Sequence, residues 1–139
     1  MLFFEDNSNT ILDIFNDIKS IEIFENDKQI KIEKHNPNYK KILNNLFDTF
    51  EDSRLSPAFG VSIHEETIKV MQKDSWIKLN FSKEMKKNEL PFNSLVFKLE
   101  ETYGFNLIRF YNQKYDGRCI YIDFIEKINL KNILNGINF

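Results

Sequence analysis

The stretch Ser20-Ile21-Glu22-Ile23-Phe24-Glu25-Asn26-Asp27-Lys28-Gln29-Ile30-Lys31-Ile32-Glu33-Lys34 decides the fold. Apolar and polar residues alternate over 20–25 and again over 29–34, the period of strands that bury one face. Asn26-Asp27 between them are turn residues, so the stretch reads as a β-hairpin. Helical spacing flanks it on both sides. Upstream, 8–19 reads as a helix capped by Ser8 or Asn9, with Ile11, Ile14, Phe15 and Ile18 on one face. Downstream, Asn36 is an N-cap and Pro37 the first helical residue. Tyr39, Ile42, Leu43, Leu46, Phe47 and Phe50 form the apolar stripe of that second helix.

Strands dominate the rest of the chain. Residues 51–57 read as a loop, and strands follow near 58–64, 67–72 and 75–81, with Lys73-Asp74 turning between the last two. Residues 82–93 look irregular and basic, Lys83, Lys86 and Lys87 being offset by Glu84 and Glu89. Leu95, Phe97 and Leu99 alternate, which favours a strand at 94–100 over a short helix, with Gly104 in the turn after it. Residues 105–112 and 118–124 then form a hairpin around Tyr115-Asp116-Gly117. A short helix over 129–135 ends at Gly136. The order α-β-β-α followed by a meander predicts an α+β fold. Its mostly antiparallel sheet would have about six to eight strands, with the two main helices packed on one face. No repeat or linker divides residues 1–139, so a single domain is expected.

Composition bounds the function. The chain has 139 residues, 42% hydrophobic and 29% charged, with a formal charge of −2. Such a chain buries roughly two-thirds of its unfolded surface and does not fit intrinsic disorder. No apolar run reaches the ~18–20 residues of a membrane helix. Met1-Leu2-Phe3-Phe4-Glu5-Asp6 lacks the basic and apolar regions of a signal peptide. Cys119, the single cysteine, has no partner for an internal disulfide, and a cytoplasmic setting is expected. The abundance of Ile, Asn, Lys, Phe and Tyr fits an AT-rich coding sequence. Near-neutral charge argues against general nucleic-acid binding.

Five groups of residues carry possible chemistry. Ser53-Arg54-Leu55-Ser56-Pro57-Ala58-Phe59-Gly60 concentrates residue types that are rare elsewhere in the chain. Arg54 with the Ser53 and Ser56 hydroxyls, joined by Arg109 and Arg118, would suit a carboxylate or phosphate. The simpler reading of the same stretch is a helix-to-strand loop shaped by Pro57 and Gly60, with Arg54 at the surface or ion-paired. His64 beside Glu65 and Glu66 has acid–base chemistry, but adjacent strand residues would point to opposite faces. Cys119 shows no Cys–His spacing and reads as a structural thiol. Arg109, Tyr111, Arg118 and Tyr121 interleave cations with aromatics, as single-strand nucleic-acid platforms and protein-binding surfaces both do. Trp76 is out of phase with Ile77, Leu79 and Phe81. It is therefore either an exposed anchor or part of a second packed layer, for which Phe3 and Phe4 are candidate cover.

No catalytic motif, metal-ligand set or cofactor fingerprint is present in the sequence. The expectation is a small protein-binding module of the immunity or inhibitor type, contacting its partner through Trp76, Arg109, Tyr111, Arg118 and Tyr121. The alternative is an anion-binding or hydrolytic domain using Ser53, Arg54, Ser56, His64, Arg109 and Arg118. It requires those side chains to converge in one pocket. Single-stranded nucleic-acid binding is the third reading.

Overall fold

In the computed structural model, which describes residues 10–57 and 60–138, Asn26 and Asp27 both adopt left-handed backbone angles, with φ of 50° and 66°. They turn β1 (Ile18–Glu25) back onto β2 (Lys28–Glu33), with Glu25 opposite Lys28. Asn88-Glu89 (50° and 66°) repeats this geometry and joins β5 (Ser75–Lys87) to β6 (Leu90–Lys98). Asn112-Gln113 (51° and 62°) repeats it again beyond β7 (Gly104–Phe110). Asparagine tolerates this conformation better than most residues, and two-residue hairpins demand it.

The other elements are α1 (Pro37–Thr49), β3 (Ser53–Ser56), β4 (Val61–Ser62), α2 (His64–Met71), β8 (Gly117–Arg118) and β9 (Ile120–Phe124), with short 3₁₀ helices at Leu12–Asp17 and Leu130–Leu134. Seven strands form one antiparallel sheet in the order β2-β1-β5-β6-β7-β9-β3, and β4 pairs with β8 as a separate two-stranded sheet. The fold is α+β.

One face of the large sheet carries the main core. Ile21, Ile23, Ile77, Leu79, Leu95 and Phe97 lie there, continued by Phe105, Leu107, Ile120 and Ile122. Helix α1 covers this face. Asn36 caps it by accepting the Asn38 N–H at 2.9 Å, and Pro37 opens it. The Tyr39 hydroxyl donates to the Ile18 carbonyl, and the Asn45 amide donates to Ile133 and Asn135, clamping α1 to β1 and to the C-terminal 3₁₀ helix. Phe50, at the end of α1, is the hub of the ring cluster, with Phe15, Phe97, Phe105 and Phe124 at centroid distances of 5.6–6.3 Å.

Several segments depart from their sequence reading. The 8–19 helix is a 3₁₀ helix that gives way to strand at Ile18; Ile14 and Phe15 are still buried, and Ser8 and Asn9 lie outside the described residues. The expected loop at 51–57 contains edge strand β3, whose Leu55 pairs with Ile122. The irregular 82–93 segment is the end of β5, an irregularity after Asn80, and the start of β6. Most consequential is 67–72, expected as a strand. It belongs to α2, because Thr67 and Met71 sit four residues apart and are the residues this helix buries. Glu65 and Glu66 in its first turn and Lys69 in its last suit a helix dipole. Of the strand expected at 58–64 only Val61–Ser62 forms; Ala58 and Phe59 lie outside the described residues. The two helical segments expected from the sequence, 12–17 and α1, do share the main core face, where Phe15 packs on Phe47 and Phe50, whereas the unexpected helix α2 packs on the opposite face.

Candidate functional site

The face away from α1 presents a different alphabet. Pleating sends Ser20, Glu22 and Phe24 of β1 to this side, beside Trp76, Lys78 and Asn80 of β5 and Ser94 and Val96 of β6. Asn106, Ile108 and Phe110 of β7 continue the row. Across the middle lies α2, packing Met71 with Trp76, Val96 and Tyr115.

The start of α2 is pinned by the loop between β7 and β8. Asp116 accepts the His64 backbone N–H at 2.6 Å, and His64 Nδ1 accepts the Tyr115 N–H at 3.1 Å. The two rings stack at 5.7 Å and 16°. Ser62 Oγ donates to the Tyr115 carbonyl at 2.6 Å. Gly117, with φ of +105°, lets the loop re-enter β8. His64 is therefore a structural anchor of the second layer, with a ring nitrogen committed to backbone.

The arginines do not share a pocket. Arg54 is exposed and pairs with Asp123 at 3.2 Å, and Ser56 Oγ donates to the same carboxylate at 3.2 Å. Ser53 Oγ donates to the Phe50 carbonyl at 2.7 Å. Arg109 is in phase with Phe105 and Leu107 on β7, on the opposite face of the sheet from Arg54. It is 8% exposed and donates to the carbonyls of Arg118 and Pro91 at 2.6 Å each. Burial lowers its pKa from the usual guanidinium value. Arg118 is exposed on β8, opposite Val61. The convergence required by the anion reading is absent. The cation–aromatic platform fails for a similar reason, since Arg109 is spent on backbone carbonyls.

Trp76 is 7% exposed, and its indole N–H donates to the Lys73 carbonyl at 3.1 Å. It belongs to the packed second layer and is not an exposed anchor. Tyr111 and Tyr121 are half-buried. Tyr111 hydrogen-bonds Glu84, which with the charge of that carboxylate raises its pKa. Cys119 is buried, and burial raises its thiol pKa against the opposing pull of a hydrogen bond with Ser62 and the nearby Arg109 charge. Such a thiol is a poor nucleophile.

Helix α2 leaves a groove on each flank. One, of about 370 Å³, lies toward the β1–β2 hairpin, with Phe24, Ile68 and Met71 on its walls and Lys78 and Tyr115 in its lining. The other, of about 270 Å³, lies toward β4 and β8 and is lined by Val61, Ile63, Val70, Asn106, Ile108 and Cys119. Further along the sheet an open polar trough of about 600 Å³ includes Ser20, Asn80, Ser94 and Phe110. There Asn80 bridges the two serines, donating to Ser20 Oγ at 3.1 Å and accepting from Ser94 Oγ at 2.7 Å.

Lys78 stands between the first groove and the trough. Its Nζ lies 3.9 Å from the Phe110 ring centroid and donates to the Tyr115 hydroxyl at 2.9 Å. Burial lowers its pKa, partly offset by the charge of Glu22. Burial also pushes Tyr115 up to about 12, with Glu22 adding to the shift.

Sequence reasoning missed Lys78 and the exposed apolar residues of 61–70. Alternation does place Lys78 in phase with Trp76, but its aromatic partners come from the distant 110–115 segment. Among the described residues no cluster of three or more His, Cys, Asp or Glu could hold a metal, and no helix is long and apolar enough to cross a membrane. Comparison with family models, curated proteins and solved structures finds no significant match to this chain.

Proposed function

We propose that this chain is a protein-binding module whose contact surface is built on β4 and α2. One observation carries the reading: Val61, Ile63 and Val70, all large and apolar, are exposed together along one flank of α2, Val61 at 73% and Ile63 at 58%. Scattered exposed apolar residues are ordinary, but a cluster of them marks a contact site. Polar groups rim it: Arg118 across from Val61, and Glu65, Glu66 and Lys69 on α2. An apolar centre with a charged rim is the usual anatomy of a non-obligate interface. A partner covered here over its own active surface would be blocked, which is how an immunity or inhibitor protein acts.

The test places a photo-crosslinking residue at Ile63 and, as a control, at Lys41 on the exposed side of α1, in the cell that makes the protein. A discrete adduct from position 63, absent from position 41 and lost in a Val61→Asp background, is expected. Affinity for the partner so identified should fall at least about tenfold in Val61→Asp if the residue is a true anchor. Identical adducts from both positions, or an unchanged adduct in Val61→Asp, would overturn the assignment.

A further inference from the structure

The seven-stranded sheet ends in β2 on one side and β3 on the other. Edge β3 is four residues long, and its Ser56 carbonyl already accepts from the Asn88 amide at 3.3 Å. Edge β2 is longer, and among the described residues it pairs with β1 alone. The two-residue turn at Asn26-Asp27 makes Glu25 and Lys28 a hydrogen-bonded pair, so Lys28, Ile30 and Ile32 give their backbone groups to β1. Gln29, Lys31 and Glu33 therefore turn their N–H and C=O groups outward. Of these, the Glu33 carbonyl also closes the turn into α1, accepting the Asn36 N–H at 3.0 Å. A row of outward groups is a template for another strand unless its side chains forbid the pairing.

The charges on β2 select both the strand and its register. Lys31 and Glu33 point to the α2 face, are 57% and 48% exposed, and pair with each other at 3.6 Å. A second copy turned by a two-fold axis perpendicular to the sheet adds its β2 antiparallel, with residues of equal parity opposite one another. Centred on Lys31, the pairing sets Lys31 against Lys31 of the second copy, and like charges directly opposite are destabilising. Centred on Ile30, it sets Glu33 against Asp27 of the second copy, again like against like. Centred on Ile32, it sets Lys31 against Glu33 of the second copy, and does so twice. Glu22 lies across β1 from Lys31, so the row then reads Glu22, Lys31 and Glu33 of the second copy, alternating in sign. Lys28 and Lys34 meet no cation in this register. We infer that β2 is the seam of a homodimer, pairing antiparallel with β2 of a second copy about Ile32, with Lys31 and Glu33 joined across the seam. This surface uses none of Val61, Ile63 and Val70, and it does not depend on the protein-binding reading.

The test is sedimentation velocity of the full chain from about 10 μM to about 1 mM, a range suited to a small polar interface. A dimer that grows with concentration is expected. Lys31→Glu and Glu33→Lys each set like charges across the seam, and each should weaken self-association at least about tenfold. Mixed in equal amounts, the two variants restore opposite charges at both pairs and should form a heterodimer within about threefold of the parental affinity. Lys31→Glu also faces Glu22 within its own chain, so thermal unfolding checks its fold. Glu33→Lys, which faces Ser20, carries the test alone if that variant is lost. A chain that stays monomeric to about 1 mM would overturn the inference. A dimer unchanged in Glu33→Lys, or two folded variants that fail to pair when mixed, would overturn it as well.

Discussion

The two faces of the large sheet are built from the same strands and solve different problems. The α1 face is filled by isoleucine, leucine and phenylalanine, whose rings meet edge-on or tilted around Phe50. Among the described residues the α2 face has a buried cluster of Met71, Trp76, Val96 and Tyr115 with Phe24, Ile108 and Phe110 packed against it, and elsewhere it carries Ser20, Lys78, Asn80 and Ser94. One helix of eight residues cannot cover a sheet that wide, so grooves remain on both flanks. The lesson is a division of labour along each strand: residues of one parity build the main core, and those of the other parity build a thinner and more polar second layer.

The largest effect that sharpens this contrast belongs to the α1 face. Phe50→Ala removes the ring shared by Phe15, Phe97, Phe105 and Phe124. The loss expected in urea unfolding is about 3–5 kcal/mol, enough to unfold a marginal domain. A loss below about 1 kcal/mol would mean that the aromatic cluster is not the main source of stability.

The next effect separates the faces by pH. Tyr115 lies on the α2 side with its pKa raised from 10.0 to about 12. A raised folded-state value gives stability that is complete below about pH 10 and is lost as pH climbs toward the folded value. Lys78 has the opposite sign: its folded pKa is depressed, so its contribution grows with pH until the unfolded value of 10.5 and is constant above it. Above that point the downward slope from Tyr115 stands against no rise from Lys78. Tyr39, also raised by burial, contributes to the same slope from the α1 side. Tyr115→Phe should flatten the decline between about pH 10 and 12, by up to about 2 kcal/mol, while Tyr39, Tyr111 and Cys119, all raised as well, keep the remainder. An unchanged alkaline slope in Tyr115→Phe would show that the Tyr115 hydroxyl is not as enclosed as the packing requires.

The α1 face was legible because its signals are local. Asn36-Pro37 starts a helix by its own chemistry, and the alternation over 20–34 names its buried side without help from distant residues. The α2 face was not. Thr67, Ile68 and Val70 are β-branched and favour strand by propensity, and only the sheet beneath decides that Thr67 and Met71 must face it together. Glycine scarcity hid the hairpin at Asn88-Glu89, and it misplaced a turn in another: 105–112 and 118–124 pair as expected, but the chain turns at Asn112-Gln113 and not at Tyr115-Asp116-Gly117. Asn88 and Asn112 turn the chain where asparagine is too common to stand out, and Glu89 and Gln113 are not usual left-handed residues. Of the candidate contact residues, Trp76 and Arg109 were singled out for unusual chemistry, and that chemistry is spent on internal carbonyls. An aromatic or an arginine has reasons to be buried that composition cannot distinguish from reasons to bind.

The smallest stability effect is the most diagnostic of the division. Val61 and Ile63 lose little on truncation because their side chains are already in water and fill no cavity. Val61→Ser with Ile63→Ser should therefore change unfolding stability by no more than about 0.5 kcal/mol per site. The β4–β8 pairing runs through backbone and survives either change, and Ile63 lies outside the strand as the residue before α2. A core residue cannot behave in this way; a contact residue must. If the double variant is as stable as the parent and loses its partner, the exposed apolar segment serves recognition. If instead it loses several kcal/mol, the segment is part of the packing of the second layer, and the two faces of the sheet differ in thickness and not in purpose.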